Sequence, residues 1–395
     1  MRTVDVVVIG AGAAGLMAAA TAAQRGRSVL VLEHSDTIGA KILISGGGRC
    51  NFTNLEIKPD RFISANPHFA KSALAGYTQW DFIDLVRRYD IVFYEKTLGQ
   101  LFCEGAGAAK RIVAMLVAEV EGPGGVIETG VRVTSIAKAD RFELATTNGP
   151  ISAESVILAT GGLSIPKIGA TDFAYRVARA FELPLVATRP GLVPVTCGGD
   201  GFAALRELAG VSFDGAAQGQ GPSFAEAVLF THKGLSGPAV LQASSYWRPG
   251  ETLRLTLAPD GADWLIAAKR TRPKARPATV LAERFAERLA TALAGGLAGP
   301  ALPDRPMADL RDAELRAMGA ALASWEVAPT GDEGYAKAEV TLGGVSTDAL
   351  SQKTLMAKSV PGLFVIGEAV DVTGWLGGYN FQWAWSSGVA AGRTA

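Results

Sequence analysis

Gly10, Gly12 and Gly15 stand close together near the start of the chain, and an acid follows at Glu33. In that spacing Gly10 permits a tight turn out of a strand, and Gly12 lets a backbone approach a pyrophosphate. Gly15 lets a helix pack close to the strand. The free N–H groups and positive dipole end of that helix, with Ala14 in its opening, then face phosphate. Glu33 has the spacing of an acid that binds ribose hydroxyls. A second stretch, KILISGGGRCNFTN at residues 41–54, sets three glycines before Arg49, Cys50 and Asn51. Gly46, Gly47 and Gly48 offer N–H groups and room for close approach. Arg49 suits a pyrophosphate or an anionic substrate. Asn51 and Thr53 suit loop-fixing bonds to backbone. Cys50 reads as a small buried thiol, with a covalent cofactor link or a redox thiol as the alternative.

Those groups need elements to hold them. Residues 4–9 are nearly all apolar, as a buried parallel strand must be. Residues 16–25 are alanine-rich and free of proline, so they read as a helix ended by Gly26. Residues 28–32 make a second strand and complete a β-α-β unit. Later, an alternating stretch that includes Val133 surrounds Asn148-Gly149, a hairpin signal. A short buried strand at 156–159 then runs into Thr160, Gly161 and Gly162. Another at 363–366 ends in Gly367-Glu368, with Asp371 close behind. GGYNFQWAWSSGVAAG opens a closing helix, with Asn380, Phe381 and Gln382 just after Gly378. Trp383 and Trp385 read as core. Gly10, Thr160 and Gly367 thus belong at the carboxyl ends of neighbouring parallel strands, where open α/β sheets bind ligands.

Composition narrows the field. A chain of 395 residues, 48% hydrophobic, can form two domains or one large domain with an insertion. Glycine supplies 47 residues, well above the usual level of about 7%. The formal net charge is zero, which counts against a broad nucleic-acid surface. Cys50, Cys103 and Cys197 form no C-x-x-C pair, so neither a zinc site nor a dithiol centre is expected. Such sparse cysteine fits a reducing cytoplasm. His34 and His68 lack the partner spacing of metal ligands. No apolar run reaches the roughly 18 residues of a membrane span. The expectation is a cytoplasmic protein with no metal, no membrane contact and no targeting segment.

The alternating meander, followed by a strand ending in Ala-Thr-Gly-Gly, resembles FAD-binding domains of the glutathione-reductase type. Four stretches resemble, more narrowly, the YhiN-like or BaiN-like flavoprotein family, also labelled aminoacetone oxidase. They are GAGAAGLMAA, GAKILISGGGRCNFTN, THKGLSGPAVLQAS and GEAVDVTGWLGGYNFQWAWSSG. They sample nearly the whole chain. The resemblance implies FAD. It also implies that the segment from Lys41 through Ser45, Gly46, Gly48 and Arg49 to Asn51 wraps the cofactor's phosphates, ribityl chain and ring edge. Thr160, Gly161 and Gly162 would pass close to it. Glu368, where many such proteins have Asp, would meet the ribityl chain, with Asp371 as second candidate. The helix start near Asn380 to Gln382 would face the flavin O2 edge and stabilise negative charge on the reduced ring. Trp375 and Leu376, before Gly377-Gly378, imply a bulky pocket wall. The loop THKGLSG would face the flavin from an inserted domain, with His232 as candidate proton donor. The alternative for His232 is a histidine that fixes its own loop.

From residue 190 to about 337 the β-α-β rhythm is missing. The expected architecture is therefore α/β: an FAD-binding Rossmann-like doubly wound domain of the glutathione-reductase type, at 1–188 and 338–395. A smaller β-rich insert domain with a helical appendage, at 189–337, interrupts it. Its β-barrel-like part covers about 189–260 and 326–337, and its helical part about 262–325. The basic run Lys269, Arg270, Arg272, Lys274 and Arg276 reads as a solvated linker face rather than an RNA contact. The expected function is an FAD-dependent oxidoreductase. It would move a hydride through flavin N5 to or from a small organic substrate held between flavin and insert domain. Reduction of an activated C=C bond and oxidation of an amine both fit. With no second G-x-G-x-x-G unit, NAD(P)H, if it is the donor, binds transiently at the flavin face. The rivals are a flavin-dependent RNA-modifying enzyme and a non-catalytic flavin-binding protein. The basic surface and catalytic cysteine pair of the former are not evident, so no nucleic-acid partner is expected. The oligomeric state is open.

Overall fold

The computed structural model describes residues 1–199 and 202–395. It divides into two compact units, Met1–Arg189 with Val340–Ala395, and Pro190–Glu339. The first unit opens with β1 (Arg2–Ile9), α1 (Ala13–Gln24) and β2 (Val29–Leu32). The helix starts earlier than the apolar run suggested, because Gly12 caps it and the Leu16 N–H donates to Gly12 O at 2.9 Å. Gly15 therefore lies in its first turn, where a Cβ would come within 1.9 Å of Gly10 O.

The second glycine stretch becomes a short helix, Ala40–Ile44, then three glycines of positive φ, then β3 (Asn51–Asn54). β3 belongs to a separate antiparallel sheet with β4 (Phe93–Glu95) and β5 (Gln100–Cys103), in the order β3-β5-β4. After α2 (Ala108–Glu121) come β6 (Val126–Glu128), the meander strands β7 (Val133–Lys138) and β8 (Phe142–Thr146), and β9 (Ile151–Leu158). β10 (Leu363–Val365) and α3 (Tyr379–Gly392) complete the unit.

The main sheet runs β6-β2-β1-β9-β8-β7, and β10 also joins β9. β6, β2, β1, β9 and β10 are parallel. β9 is longer than the short strand expected, because one edge serves two partners. Residues 151–153 pair antiparallel with β8, and residues 156–158 pair parallel with β10. α3 lies directly on α1. A Cβ added at Gly388 would come within 2.6 Å of Ala14 O, and one at Gly392 within 2.5 Å of Ala18 O. Small residues on both helices thus set the short distance between their axes.

The second unit carries one antiparallel path of seven strands. Its outer strands are Trp325–Val327 and Gly331–Asp332. Among the described residues no pairing joins those two, so the path is an open sheet rather than the expected barrel. Both outer strands are too short to offer a closing ladder. Four helices follow the strand Leu253–Thr256: Gly261–Thr271, Pro277–Leu281, Glu287–Ala294 and Asp312–Ala323. Of the basic run, Lys269 donates to Asp312 and Leu310 O, Arg272 pairs with Glu283, and Arg276 pairs with Asp304. Among the described residues no helix is long and apolar enough to cross a membrane.

The helix crossing makes a direct prediction. Gly388→Val must push α3 off α1, at a cost of about 1–3 kcal/mol for overpacking. Thermal unfolding should show a midpoint several degrees lower; an unchanged midpoint would mean the crossing is not this close.

Candidate active site

Four strand ends and two helix starts build the site in the first unit. β1 leaves through Gly10, whose φ is +109° and where a Cβ would lie 2.5 Å from Ala159 O. At the end of β2, Glu33 is buried, and its Oε2 accepts the Ala11 N–H at 2.9 Å. Its Oε1 accepts from Ser35 N and lies 3.0 Å from His34 Nδ1. The Val131 N–H donates to Glu33 O at 2.9 Å. Val131 therefore lies beside this acid, and Val133, two residues on, begins β7; both valines are buried in the core.

The space beside the start of α1 is open. A Cβ on Gly12 or on Gly161 would meet nothing within 4 Å. Thr160 Cα lies close to Gly10, and its Oγ1 is buried with no hydrogen-bond partner. An unpaired buried hydroxyl costs about 1–3 kcal/mol, which a ligand group at hydrogen-bond distance would recover. A glycine cradle at a helix N-terminus, a strand-end acid and an orphaned hydroxyl together fit the phosphate and ribose groups of a dinucleotide. Ala14 is buried in the same turn, where a Cβ on Gly367 would come within 2.9 Å of its methyl.

A second cluster gathers around Glu368. Lys41 Nζ donates to Glu368 Oε2 at 2.5 Å and to Ser164 Oγ at 2.6 Å. Glu368 Oε1 accepts from Ser164 Oγ at 2.8 Å and from the Thr341 N–H at 2.9 Å. Thr341 Oγ1 accepts the N–H groups of Leu163 and Ser164. A Cβ on Gly162 would lie 2.4 Å from that Oγ1, so glycine is what lets the loop pass. Both carboxylate oxygens of Glu368 are committed within the protein, while the Lys41 ammonium keeps a further N–H to offer. Ser164 and Thr341 were not singled out by the sequence, which has no signal for a threonine 177 positions from its partner. Asp371, the other acid considered, accepts the Ala65 N–H at 2.9 Å, and burial raises its carboxyl above the usual range.

The closing helix is braced at its start. A Cβ on Gly378 would lie 2.3 Å from Thr53 O, so α3 can begin only on glycine there. Asn51, with its amide nitrogen toward Leu101 O, accepts the Gly378 N–H at 3.2 Å. Asn380 uses its side chain on the loop before it: Oδ1 accepts Gly374 N, and Nδ2 donates to Gly374 O and Trp375 O. Gln382 is fully buried; Oε1 accepts from Thr53 Oγ1, and Nε2 donates to Tyr77 O and Ser386 Oγ. Its own N–H donates to Gly378 O. Thr53 thus fixes a side chain rather than the backbone expected of it. The helix start leaves the N–H groups of Tyr379, Asn380 and Phe381 for an anion, which narrows the expected set. Trp383 and Trp385 are core, and each also ties down a loop: Trp383 Nε1 donates to Gly367 O and Trp385 Nε1 to Phe52 O.

The remaining candidates scatter. Cys50 is fully buried with φ +52°, and burial pushes its thiol far above the ordinary range. Cys103, on the adjoining strand, is pushed up to about 12. Ser45 Oγ donates to Ile42 O. Gly48, the last of the three glycines, has φ +82°. Arg49 is exposed and lies over the Phe102 ring at 5.6 Å. His232 sits exposed in a turn of the second unit. That turn is held by Thr231, whose Oγ1 accepts the N–H groups of Lys233 and Gly234. The loop-fixing role considered for His232 therefore belongs to Thr231.

Two outcomes follow from these environments. Thr160→Val removes an unpaired buried hydroxyl at nearly constant volume. The flavin-free protein should hold its thermal midpoint or gain slightly, while flavin dissociates more readily; equal flavin affinity would remove Thr160 from the cofactor site. Under native conditions a thiol reagent should modify Cys197 and spare Cys50 and Cys103, with all three reacting after denaturation, as read by intact mass.

Comparison with known proteins fits this geometry. Residues 4–394 match the family model described as HI0933-like protein Rossmann domain. The chain is 47% identical over 397 aligned positions to a protein of Escherichia coli (strain K12) named ribosomal RNA dihydrouridine synthase, covering 100% of this chain and 98% of that one. A protein of the same name from Haemophilus influenzae is 44% identical, covering 97% and 96%. A 3-dehydro-bile acid delta(4,6)-reductase of Clostridium scindens is 29% identical, covering 98% of each. The chain belongs to the HI0933-like family of FAD-binding, Rossmann-type flavoprotein oxidoreductases, the YhiN- and BaiN-like group.

Proposed function

We propose that this protein is an FAD-dependent reductase that saturates the C5=C6 bond of a uridine in ribosomal RNA. The full-length match to two ribosomal RNA dihydrouridine synthases carries the reading. It departs from the expectation of no nucleic-acid partner, which rested on net charge. A neutral total excludes a broad basic surface but leaves room for a local one.

Saturation delivers a hydride to one ring carbon and a proton to the other. The flavin, when bound, supplies the hydride from N5. The chain's own residues bind and orient. The start of α1, Glu33 and Thr160 would hold the dinucleotide's phosphates and ribose. Lys41, held by Glu368 and Ser164, keeps a cation poised with an N–H to spare. The N–H groups of Tyr379, Asn380 and Phe381 would stabilise negative charge at the start of α3. Cys50 is too deeply buried to deliver the proton. His232 is exposed and carries no hydrogen-bond partner among the described residues, so it is the proton donor proposed. The electrons would come from a reduced nicotinamide nucleotide that visits the flavin.

The test starts from purified holoenzyme titrated anaerobically with NADH and with NADPH, followed by visible absorbance. Ribosomal RNA from a strain lacking the gene is then added, and its nucleosides are analysed by mass. Bleaching by one nucleotide and a uridine that gains two hydrogens is the expected result. Bleaching without that gain would remove RNA and favour a small unsaturated acceptor, as the bile-acid reductase relative suggests. His232→Ala should keep its flavin and lose turnover by about 10²-fold; unchanged turnover would sink the role.

A further inference from the structure

Arg49, just before β3, and Lys96, just after β4, reach the same aromatic ring. Arg49 Cζ lies 5.6 Å and Lys96 Nζ 5.5 Å from the Phe102 centroid. Tyr94 stacks near that ring, with centroids 6.1 Å apart and an interplanar angle of 24°. Arg49 Nη1 donates to Tyr94 Oη at 3.4 Å, and its Nε donates to Gly46 O at 3.2 Å. The paired strands β4 and β5, which carry Tyr94 and Phe102 opposite each other, thus supply the ring that both cations contact.

Among the described residues neither cation has a carboxylate within 4.0 Å. The neighbouring acid Glu95 is turned to the Gly99 N–H at 3.2 Å. Several other cations of the molecule are neutralised, although Lys138, over the Phe142 ring, is held only by the backbone carbonyl of Asp140. Arg61, stacked on Trp375 and Tyr379, pairs with Glu56; Lys41 pairs with Glu368; Lys269, Arg272 and Arg276 each have an acid. Two like charges near one ring without a counter-ion leave a local excess of positive charge, which favours an anion there. Arg49 and Lys96 are both exposed, and the adjoining Gly47 is exposed with open space where a Cβ would be. A chain can therefore approach them closely. The dinucleotide's own phosphates have a separate cradle at the start of α1.

We infer that Arg49 and Lys96, backed by Phe102 and Tyr94, contact a backbone phosphate of the RNA strand that presents the uridine. This rests on the reading of the protein as a ribosomal RNA reductase. Phosphate contacts position a strand without reading its sequence, so the site sets register and affinity rather than base choice.

The experiment measures binding of ribosomal RNA by the holoenzyme and by Arg49→Ala, Lys96→Ala and Lys96→Arg variants, across a series of salt concentrations. Flavin absorbance is recorded for each variant. Each alanine variant should weaken binding about threefold to tenfold and lower the slope of log K against log salt by about 1. Lys96→Arg should restore both, and flavin should stay bound. An unmoved slope in both alanine variants would overturn the inference. Loss of flavin from Arg49→Ala would overturn it by giving that charge to the cofactor. Weaker binding of the nicotinamide nucleotide with an intact RNA slope would overturn it in favour of that nucleotide's phosphates. If the wild-type holoenzyme binds RNA but makes no dihydrouridine, the proposed reaction fails while the salt slopes still decide the phosphate site. If it makes dihydrouridine and the slopes do not move, only the phosphate site fails.

Discussion

Backbone approaches backbone in the dinucleotide-binding unit with no side chain between them, and the rest of the architecture is arranged around that closeness. Gly10 meets the carbonyl of Ala159, Gly15 meets that of Gly10, and Gly388 and Gly392 meet those of Ala14 and Ala18. Each contact would be blocked by a single Cβ. Together they bring the start of α1 against the ends of β1 and β9 and lay α3 along α1. The unfolded chain pays for this, since glycine loses more conformational freedom on folding than any other residue. The core that offsets the loss is the parallel sheet, whose β1 residues Val6, Val7 and Val8 are fully buried.

Close approach also decides which polar groups remain for chemistry. α3 carries many polar side chains near its start, yet most are spent on structure. Asn380 holds the loop of residues 374–375, Gln382 joins Thr53 to Tyr77 O, and Ser387 holds Gly367. Buried groups of this kind must be satisfied, and here the protein satisfies them itself. Thr160 is an exception: its hydroxyl is buried and unmatched beside the open cradle. Thr347 Oγ1 is buried and unmatched as well, but it is the position of Thr160 beside Gly10 and the open glycine cradle that fits a ligand group.

Electrostatics follow the same pattern of local rather than global design. The chain is neutral overall, and its longest basic run is largely tied to acids of its own helical layer. Arg49 and Lys96, by contrast, share one phenylalanine and no acid. A sum of charges cannot distinguish these cases, because neutralisation depends on distances of a few ångströms.

The sequence by itself determined the class of fold. Glycine spacing, an alanine-rich helix and uniformly apolar strands are local signals, readable wherever neighbours in the chain are neighbours in space. The β-α-β unit and the hairpin around Asn148-Gly149 were legible for that reason. β3 was not, because Asn51–Asn54 is too polar to read as a strand until Phe102 and Leu101 lie across from it. The start of α1 was displaced because helix propensity is a property of a window, whereas a cap is a property of one residue. Only tertiary structure decided that Glu368 holds Lys41 across 327 positions, that Gln382 is a brace, and that Lys96 joins Arg49 over one ring. Those contacts join segments far apart in the chain, and no local pattern encodes which distant segment a folded backbone will bring near.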